Sequence, residues 1–210
     1  MAGLGVDWRT RRASSALARK ERGIPSDYSR RHGADPGFVA PQSALPPGCP
    51  AAGRVFIEPW AERHYEESAH VIAAAYEGHV DSQINNQYNS VAGARRFLRN
   101  IVEHPGCGNF FGPASFVAFD RATAQARGIS LASLVASDIG HITQICVHPR
   151  VQGTGVGYEL LRWSLIALAA HGCRTVSLTV TASNAQAIQL YERVGFHTAH
   201  RFDALVWDGF

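Results

Sequence analysis

Lysine is almost absent from this chain of 210 residues, because Lys20 is the only one among 20 basic side chains. A nucleoside-triphosphate loop ends in Gly-Lys-Ser/Thr, and no glycine-rich stretch of the sequence offers that lysine. Long apolar runs are also missing, since the nearest candidate, residues 160–170, contains Arg162. We therefore expect neither a loop of that class nor a helix that spans a membrane.

Cysteine is sparse as well. The chain has four: Cys49, Cys107, Cys146 and Cys173. They form no Cys-x-x-Cys pair and no spacing typical of a disulfide framework. The N-terminus lacks the apolar core of a signal peptide, because residues 4–6 are followed at once by Asp7. We expect a reduced, cytoplasmic protein, and the ten histidines show no spacing that predicts a metal site.

The first 53 residues differ in composition from the rest. They carry eight Arg/Lys against four Asp/Glu, whereas residues 54–210 carry twelve against thirteen. Five of the ten prolines fall within residues 36–50. We predict a basic, proline-rich tail or linker that is poorly ordered, followed by one domain over residues 54–210. The near-neutral domain disfavours nucleic acid as a partner, although a nucleic-acid arm and the remnant of a larger domain stay open for the tail.

The most informative stretch runs from residue 141 to residue 172. An apolar, β-branched segment over residues 142–147 predicts a buried strand. Glycines then alternate over residues 152–157, and a helical pattern follows up to Gly172. A glycine-rich turn before a helix suits phosphate oxygens, because the first amides of a helix are unpaired. The dinucleotide fingerprint fails here, since it needs glycine where Tyr158 or Leu160 stands.

Two blocks of residues together identify a family. The first is Gln152-x-x-Gly155-x-Gly157, preceded by Val147-x-Pro149. The second is Asn184-x-x-Ala187-x-x-Leu190-Tyr191-x-x-x-Gly195-Phe196. In this order and spacing they resemble the acetyl-coenzyme A motifs of the GCN5-related N-acetyltransferase (GNAT) superfamily. The resemblance covers about residues 55–207.

The resemblance implies an α/β domain with the acyl-CoA N-acyltransferase fold. Its sheet is mixed and mostly antiparallel, is flanked by helices, and splays between the fourth and fifth strands. The residue patterns agree with that layout. They predict strands over 54–60, 114–119, 131–136, 141–147, 175–180 and 196–207, and helices over 61–76, 91–102, 156–171 and 184–194. Residues 121–130 are expected to form a polar linker.

By the same resemblance, acetyl-CoA is the acyl donor and its binding residues can be named. The backbone of Ile145, Cys146 and Val147 would pair with the pantetheine arm. The pyrophosphate would lie on the backbone of the loop that contains Gln152, Gly153, Thr154, Gly155, Val156 and Gly157. Asn184 matches a position that contacts the donor, and it also fits an ordinary helix N-cap.

Two residues are predicted to be catalytic. Tyr191 stands where the superfamily often has a tyrosine near the thioester sulfur, so its phenol would protonate the leaving thiolate; a core tyrosine is the alternative. His141 stands where many members have a glutamate base, and a histidine is neutral near pH 7. A structural histidine at a strand start is equally compatible, and Asp138 and Glu58 are weaker candidates for the base.

The sequence therefore predicts an acyltransferase, an N-acetyltransferase that moves an acetyl group from acetyl-CoA to a primary amine. The acceptor is a small molecule or a peptide, and Asp81, Asn85 and Tyr88 are candidates for its pocket or for ordinary loop residues. A non-catalytic acyl-CoA-binding module is the alternative function. No metal and no membrane partner is expected, and a homodimer stays open.

Overall fold

The computed structural model describes residues 2–9, 48 and 53–203, of which residues 2–9 and 203 are described by their backbone alone. The strands are β1 (Ala2–Arg9), β2 (Val55–Pro59), β3 (Asn109–Phe110), β4 (Phe116–Asp120), β5 (Ala126–Ala136), β6 (Ile139–Val147), β7 (Thr175–Thr181) and β8 (Phe196–Asp203). The helices are α1 (Tyr65–Tyr76), α2 (Val91–Glu103), α3 (Val156–His171) and α4 (Ala185–Val194).

One sheet contains all of these strands, in the order β2-β4-β5-β6-β7-β1-β8, with β3 paired to β5. Only β6 and β7 run parallel, because α3 connects them as a crossover. Their pairing ends at Ile142 and Leu178, although β6 continues to Val147 and β7 to Thr181. The predicted fold class is confirmed: a mixed, mostly antiparallel sheet that splays between the fourth and fifth predicted strands.

Two helical layers cover the sheet. On one face α1 and α2 pack against β4 and β5 through a core that includes Ile72, Leu98, Val117 and Ile129. On the other face α3 and α4 pack against the inward side chains of β7. Leu161, Leu165 and Leu168 of α3 are buried in that contact. Each apolar stripe of the helices is therefore matched by a buried strand face.

The chain between β4 and β5 differs from the sequence prediction. We expected a polar linker up to residue 130, but β5 already begins at Ala126. Small and polar residues occur there because α3 lies very close: a Cβ at Gly128 would stand 2.7 Å from Leu160 Cδ1. Ser130 and Ser164 share a buried hydrogen bond of 2.8 Å across the same contact. These residues resemble a loop in sequence, yet they are the ones that a tight helix–sheet contact requires.

The first residues of the chain also differ from the prediction. Residues 2–9 form β1, which lies between β7 and β8 and pairs antiparallel with both. The expectation of a tail outside the domain is therefore wrong for these eight residues. Alternating apolar residues in a short segment before a polar stretch were too weak a signal, because the partners of β1 lie about 170–200 positions further along. The rest of the predicted tail, apart from residues 48 and 53, lies outside the described residues.

The position of β1 predicts a dependence of stability on the N-terminus. Val6 pairs with Leu178 on one side and Thr198 on the other. Proline at this position removes a backbone N–H from an interior strand, so Val6→Pro should lower the free energy of unfolding by about 1–3 kcal/mol. Urea unfolding of the full chain measures the change, and Val6→Thr, which keeps a β-branched residue, is the control. Equal stability of the Pro and Thr variants would contradict the pairing.

Candidate active site

A glycine-rich turn prepares the start of α3. Gly153 and Gly155 have φ angles of 75° and 87°, which are left-handed values that favour glycine. Gly155 is the N-cap of α3, so the unpaired amides of the first helical turn follow it directly. The side chain of Val156 turns away into the core, where it is 2% exposed. The loop therefore presents backbone N–H groups together with the positive end of the helix, which suits phosphate oxygens.

The splay between β6 and β7 lies next to this turn. On one side, Ile145–Val147 pairs with β5 over Gly128–Ser130. On the other side, the described part of the chain gives these three residues no strand partner, because the ladder to β7 has already ended. An extended ligand with amide groups can pair with such an open edge in the way that an added strand would.

A cavity of about 1060 Å³ joins the turn to the splay. Of the residues predicted to bind the donor, it is lined by Ile145, Cys146, Val147, Gln152, Gly153, Thr154, Gly155, Gly157 and Asn184. Tyr191 lines it as well. The structure thus brings two sequence blocks, whose first residues are 32 positions apart, to one cavity.

Asn184 is an N-cap, one of the two roles that the sequence left open, and it also lines the cavity. It is the N-cap of α4, and its Oδ1 accepts the N–H of Ala187 at 3.1 Å. Its Nδ2 lies 3.4 Å from His79 Nε2, on the wall of the cavity. The cap fixes the orientation of the amide, because Oδ1 is already occupied by the helix.

Tyr191 lies on α4 and is 6% exposed. Its ring packs against Phe196 with centroids 5.9 Å apart. Burial raises the pKa of its phenol, and the nearby Cys146 and Asp81 raise this pKa further. The phenol therefore keeps its proton at neutral pH, and Tyr191 is one of the residues that line the cavity.

Tyr76 and Cys146 line the cavity together with Tyr191, and Gln144 forms hydrogen bonds with both of them. Gln144 donates from Nε2 to the hydroxyl of Tyr76 at 3.0 Å. Burial raises the pKa of the Cys146 thiol to about 12, which a hydrogen bond with Gln144 partly offsets. Cys146, which lines the cavity, is consequently a neutral thiol at neutral pH. A neutral thiol is a poor nucleophile.

His141 is not brought to this cavity. It lies on β6 opposite Ser133 and Ser177, and its Nδ1 is 2.9 Å from Ser177 Oγ. His141 stands four positions before Ile145, which is the first residue of β6 that lines the cavity. Burial lowers the pKa of its imidazole. This position suits the structural alternative better than the predicted role of base.

The weaker candidates for the base are also distant from the cavity lining. Glu58 is bound to His64 at 2.8 Å and to Arg63 at 3.1 Å, near the β2 edge of the sheet. Asp138 accepts the backbone N–H of Arg174 through its carbonyl group, at 2.7 Å, in the turn before β6. Neither residue lines the cavity that contains Tyr191.

The candidates for the acceptor pocket have different roles. Asn85 caps a short helical turn by accepting a hydrogen bond from the N–H of Gln87. The role of an ordinary loop residue therefore accounts for this asparagine. Tyr88 stacks on Tyr76 with ring centroids 4.1 Å apart. Asp81 accepts a hydrogen bond from Thr181 at 2.5 Å.

Sequence reasoning missed His79, which lines the cavity near Tyr76 and Asn184. Its Nδ1 accepts the backbone N–H of Asp81 at 3.1 Å. Its position directly after Gly78, at the end of α1, was the only signal in the sequence, and such a signal is too common to indicate a site.

The described residues lack two features. They contain no helix with the length and apolar character of a membrane span. Within residues 53–203 there is also no group of three or more His, Cys, Asp or Glu side chains arranged to hold a metal ion.

The turn before α3 gives a test of donor binding. A valine at Gly155 would be strained by the left-handed φ of 87° and would place its side chain on the phosphate side of the turn. We expect Gly155→Val to abolish the binding of coenzyme A, measured by calorimetry, while circular dichroism stays that of a folded protein. Gly106→Val is the matched control, because a Cβ there meets nothing within 4 Å. Normal affinity in Gly155→Val would contradict the assignment of this turn.

The buried His141 predicts a dependence of stability on pH. Its folded pKa is lowered, so below the unfolded value of about 6.5 the unfolded chain binds a proton more readily than the folded one. This contribution is present above that value and is lost as the pH falls through the folded pKa. We expect His141→Gln to reduce the loss of unfolding free energy between about pH 7.5 and pH 5. His70→Gln, an exposed position on α1, is the control. If the free energy of unfolding changes with pH by the same amount in His141→Gln and in the unmodified protein, His141 does not contribute to the pH dependence.

Comparisons with known proteins agree with this geometry. The model of the "Acetyltransferase (GNAT) family" matches residues 55–196. A mycothiol acetyltransferase of Mycobacterium sp. (strain JLS) is 35% identical over 92 residues, which are 41% of this chain and 31% of that protein. One of Streptomyces scabiei is 41% identical over 63 residues, which are 30% of this chain and 20% of that protein. The chain thus spans less than a third of these relatives.

Solved structures show the same fold. A GCN5-related N-acetyltransferase from Sphaerobacter thermophilus has a TM-score of 0.55 at 17% identity, over 95% of this chain and 49% of that chain. The ribosomal-protein-S18-alanine N-acetyltransferase from Escherichia coli has a TM-score of 0.52 at 24% identity, over 68% and 77% of the two chains. The match over residues 55–196 covers well over half of the sequence, so the chain belongs to the acetyltransferase (GNAT) family.

Proposed function

We propose that this protein is an N-acetyltransferase that moves the acetyl group of acetyl-CoA to a primary amine. The observation that carries the proposal is a single cavity that contains the glycine turn, the open edge of β6 and the phenol of Tyr191. A donor needs all three: a site for its phosphates, a strand edge for its pantetheine arm, and a hydrogen-bond donor at its sulfur.

Different residues of the cavity would bind different parts of the donor. Backbone amides between Gln152 and Gly157 would hold the pyrophosphate, since the αL glycines let the chain approach it closely. The free edge of Ile145–Val147 would align the pantetheine amides along β6. The acetyl group would then lie in the splay between β6 and β7, between the side chains of Cys146 and Tyr191.

Acyl transfer requires a neutral amine to attack the thioester carbonyl and a thiolate to leave. The amine nitrogen forms a bond to the carbonyl carbon and loses one proton to water, the carbon–sulfur bond breaks, and the thiolate takes a proton. Tyr191 keeps its phenol proton because burial raises its pKa. The same burial disfavours a free thiolate, so a phenol hydrogen-bonded to the sulfur stabilises the departing charge or transfers its proton.

The compartment and the acceptor belong to the proposal too. Cys107, Cys146 and Cys173 are free thiols, which fits a reducing cytoplasm. The relatives are named mycothiol acetyltransferases, and one structural neighbour is named a ribosomal-protein-S18-alanine N-acetyltransferase. The acceptor panel should therefore include polar small-molecule amines and peptide N-termini.

The direct test is the release of coenzyme A thiol from acetyl-CoA in the presence of such a panel. We expect at least one class of amine to accelerate the release and to gain an acetyl group detectable by mass spectrometry. Tight coenzyme A binding without release for any amine would support the alternative, a non-catalytic acyl-CoA-binding module.

Tyr191 gives a sharper test of the chemistry. Tyr191→Phe removes only a hydroxyl, so packing against Phe196 and donor affinity should survive. Positioned proton transfer contributes about 10²–10⁴-fold, and kcat should fall within that range. Tyr65→Phe, at a phenol that packs on Trp60, is the control for the chemical change. If kcat of Tyr191→Phe equals that of the unmodified protein, the hydroxyl of Tyr191 takes no part in the reaction and the residue is structural.

A further inference from the structure

The side chains of His79 and Asn184 meet on the wall of the cavity. His79 lies in the chain after α1, and Asn184 directly precedes α4. Nε2 of His79 is 3.4 Å from Nδ2 of Asn184, although the two residues are 105 positions apart in sequence. Both residues line the cavity. The protons on these two nitrogen atoms decide what the contact can bind.

The amide of Asn184 has a fixed orientation. Its Oδ1 accepts the N–H of Ala187 at 3.1 Å, as the N-cap of α4. A flipped amide would turn Nδ2 towards this N–H, and two donors form no hydrogen bond. The atom that faces His79 is therefore the donor Nδ2, which carries its protons on the side of the cavity wall.

The imidazole of His79 has a fixed tautomer. Its Nδ1 accepts the backbone N–H of Asp81 at 3.1 Å, which is an ordinary hydrogen-bond length. The carboxylate of Asp81 is farther from Nδ1, at 3.5 Å, which exceeds that length. An accepting nitrogen carries no proton, so the neutral ring carries its proton on Nε2. The atom that faces Asn184 is thus a donor as well.

Two N–H groups that face each other cannot satisfy each other. Over residues 53–203, neither Nε2 of His79 nor Nδ2 of Asn184 has another hydrogen-bond partner. One carbonyl oxygen between them can accept from both, because such an oxygen has two lone pairs. These two groups, which we call the N–H pair, are therefore suited to a carbonyl oxygen of a ligand.

The position of the N–H pair relative to Tyr191 follows from the geometry of α4. Asn184, Ala187 and Tyr191 all line the cavity, and their spacing of three and four residues places them on one face of the helix. Seven residues at 1.5 Å each separate Asn184 from Tyr191 by about 10 Å along the helix. A ligand whose sulfur lies at Tyr191 would therefore need its carbonyl oxygen about 10 Å away.

The pantetheine arm of coenzyme A has two amide carbonyls at different distances from its sulfur. The first carbonyl carbon is four bonds from the sulfur and the second is eight. An extended chain covers about 5 Å over four bonds and about 9–10 Å over eight. Only the second amide carbonyl, the one nearer to the phosphates, matches the spacing along α4.

We propose that His79 binds the donor: its Nε2–H, together with Nδ2–H of Asn184, donates to the second amide carbonyl of the pantetheine arm. This inference rests on the proposed function and adds His79 to the residues that hold the donor. The open edge of Ile145–Val147 would bind the arm from the side of β6, and the N–H pair would bind it from the side of α4. Contacts on both sides would fix the thioester at Tyr191.

His79→Asn tests the proposal with little disturbance of the chain. Asparagine can accept the N–H two residues later, as Asn85 does for Gln87, but its shorter side chain withdraws the N–H from Asn184. Calorimetry on the full chain compares coenzyme A with adenosine 3′-phosphate 5′-diphosphate, its nucleotide half, which lacks the arm. We expect the Kd of coenzyme A to rise about 3- to 10-fold, the effect of one hydrogen bond, and that of the nucleotide half to stay unchanged.

Asn184→Ser tests the other member of the N–H pair. Serine keeps the N-cap but cannot supply Nδ2–H, so it should give the same loss for coenzyme A alone. In the double variant the oxygen has no donor left, and the loss should exceed the product of the two single losses. His104→Asn is the matched control, because it makes the same exchange at an exposed position outside the cavity lining.

Several results would overturn the inference. Unchanged affinity for coenzyme A in both single variants would mean that water alone occupies the N–H pair. An equal loss for the nucleotide half would indicate a general disturbance of the site, and strictly multiplicative losses in the double variant would show that the two groups bind separate atoms. A higher KM for the amine acceptor with unchanged affinity for coenzyme A would assign the pair to the acceptor instead.

These binding measurements need no turnover, so they separate the inference from the proposed function. A protein that binds coenzyme A through His79 but releases no thiol with any amine would refute acetyl transfer and not the N–H pair. A protein that transfers acetyl groups, and whose affinity for coenzyme A is unchanged in His79→Asn, would refute the role of His79 alone.

Discussion

The parallel pairing of β6 with β7 stops at Ile142 and Leu178, and the site depends on this interruption. Both strands continue, but each is held on its other side, β6 by β5 and β7 by β1. Backbone groups along an interior strand need partners, and among the described residues the stretch Ile145–Val147 has no strand partner on the β7 side, which leaves it open to a ligand or to water. The cavity of about 1060 Å³ occupies the space that a closed sheet would have filled.

A break of this kind is stable only if both halves of the sheet are held rigidly. On one half, α3 packs so close to β5 and β6 that Gly128 and Gly140 leave no room for a Cβ beside Leu160 and Leu168. On the other half, β1 joins β7 to β8 and gives the second half a third strand. The same contact that fixes α3 also fixes its first turn, so the geometry of the glycine turn follows from helix–sheet packing.

The chain places different chemistry at the two ends of the cavity. The turn before α3 offers backbone amides and the positive end of a helix, which suit an anionic donor. The splay at the other end offers the open edge of β6 and Tyr191, whose phenol keeps its proton because burial raises its pKa.

The sequence by itself determined the elements of the domain and the donor half of the site. Glycines at positions 153, 155 and 157, the Asn184 cap and the periodicity of α3 and α4 are local patterns, and local sequence is sufficient to fix a turn and a helix start. Tyr191 was found by its spacing within the same pattern. Most predicted strands match the observed ones within a few residues, because their alternation is also local.

Only the tertiary structure decided the rest, since it depends on residues that are distant in sequence. The insertion of β1 between β7 and β8 and the early start of β5 under α3 follow from pairing and packing partners that no local pattern names. Whether His141 or His79 lies near Tyr191 depends on which residues of β6 and of the chain after α1 meet the cavity. Contacts such as that of Asp81 with Thr181 join residues 100 positions apart, and no local pattern in the sequence indicates such partners.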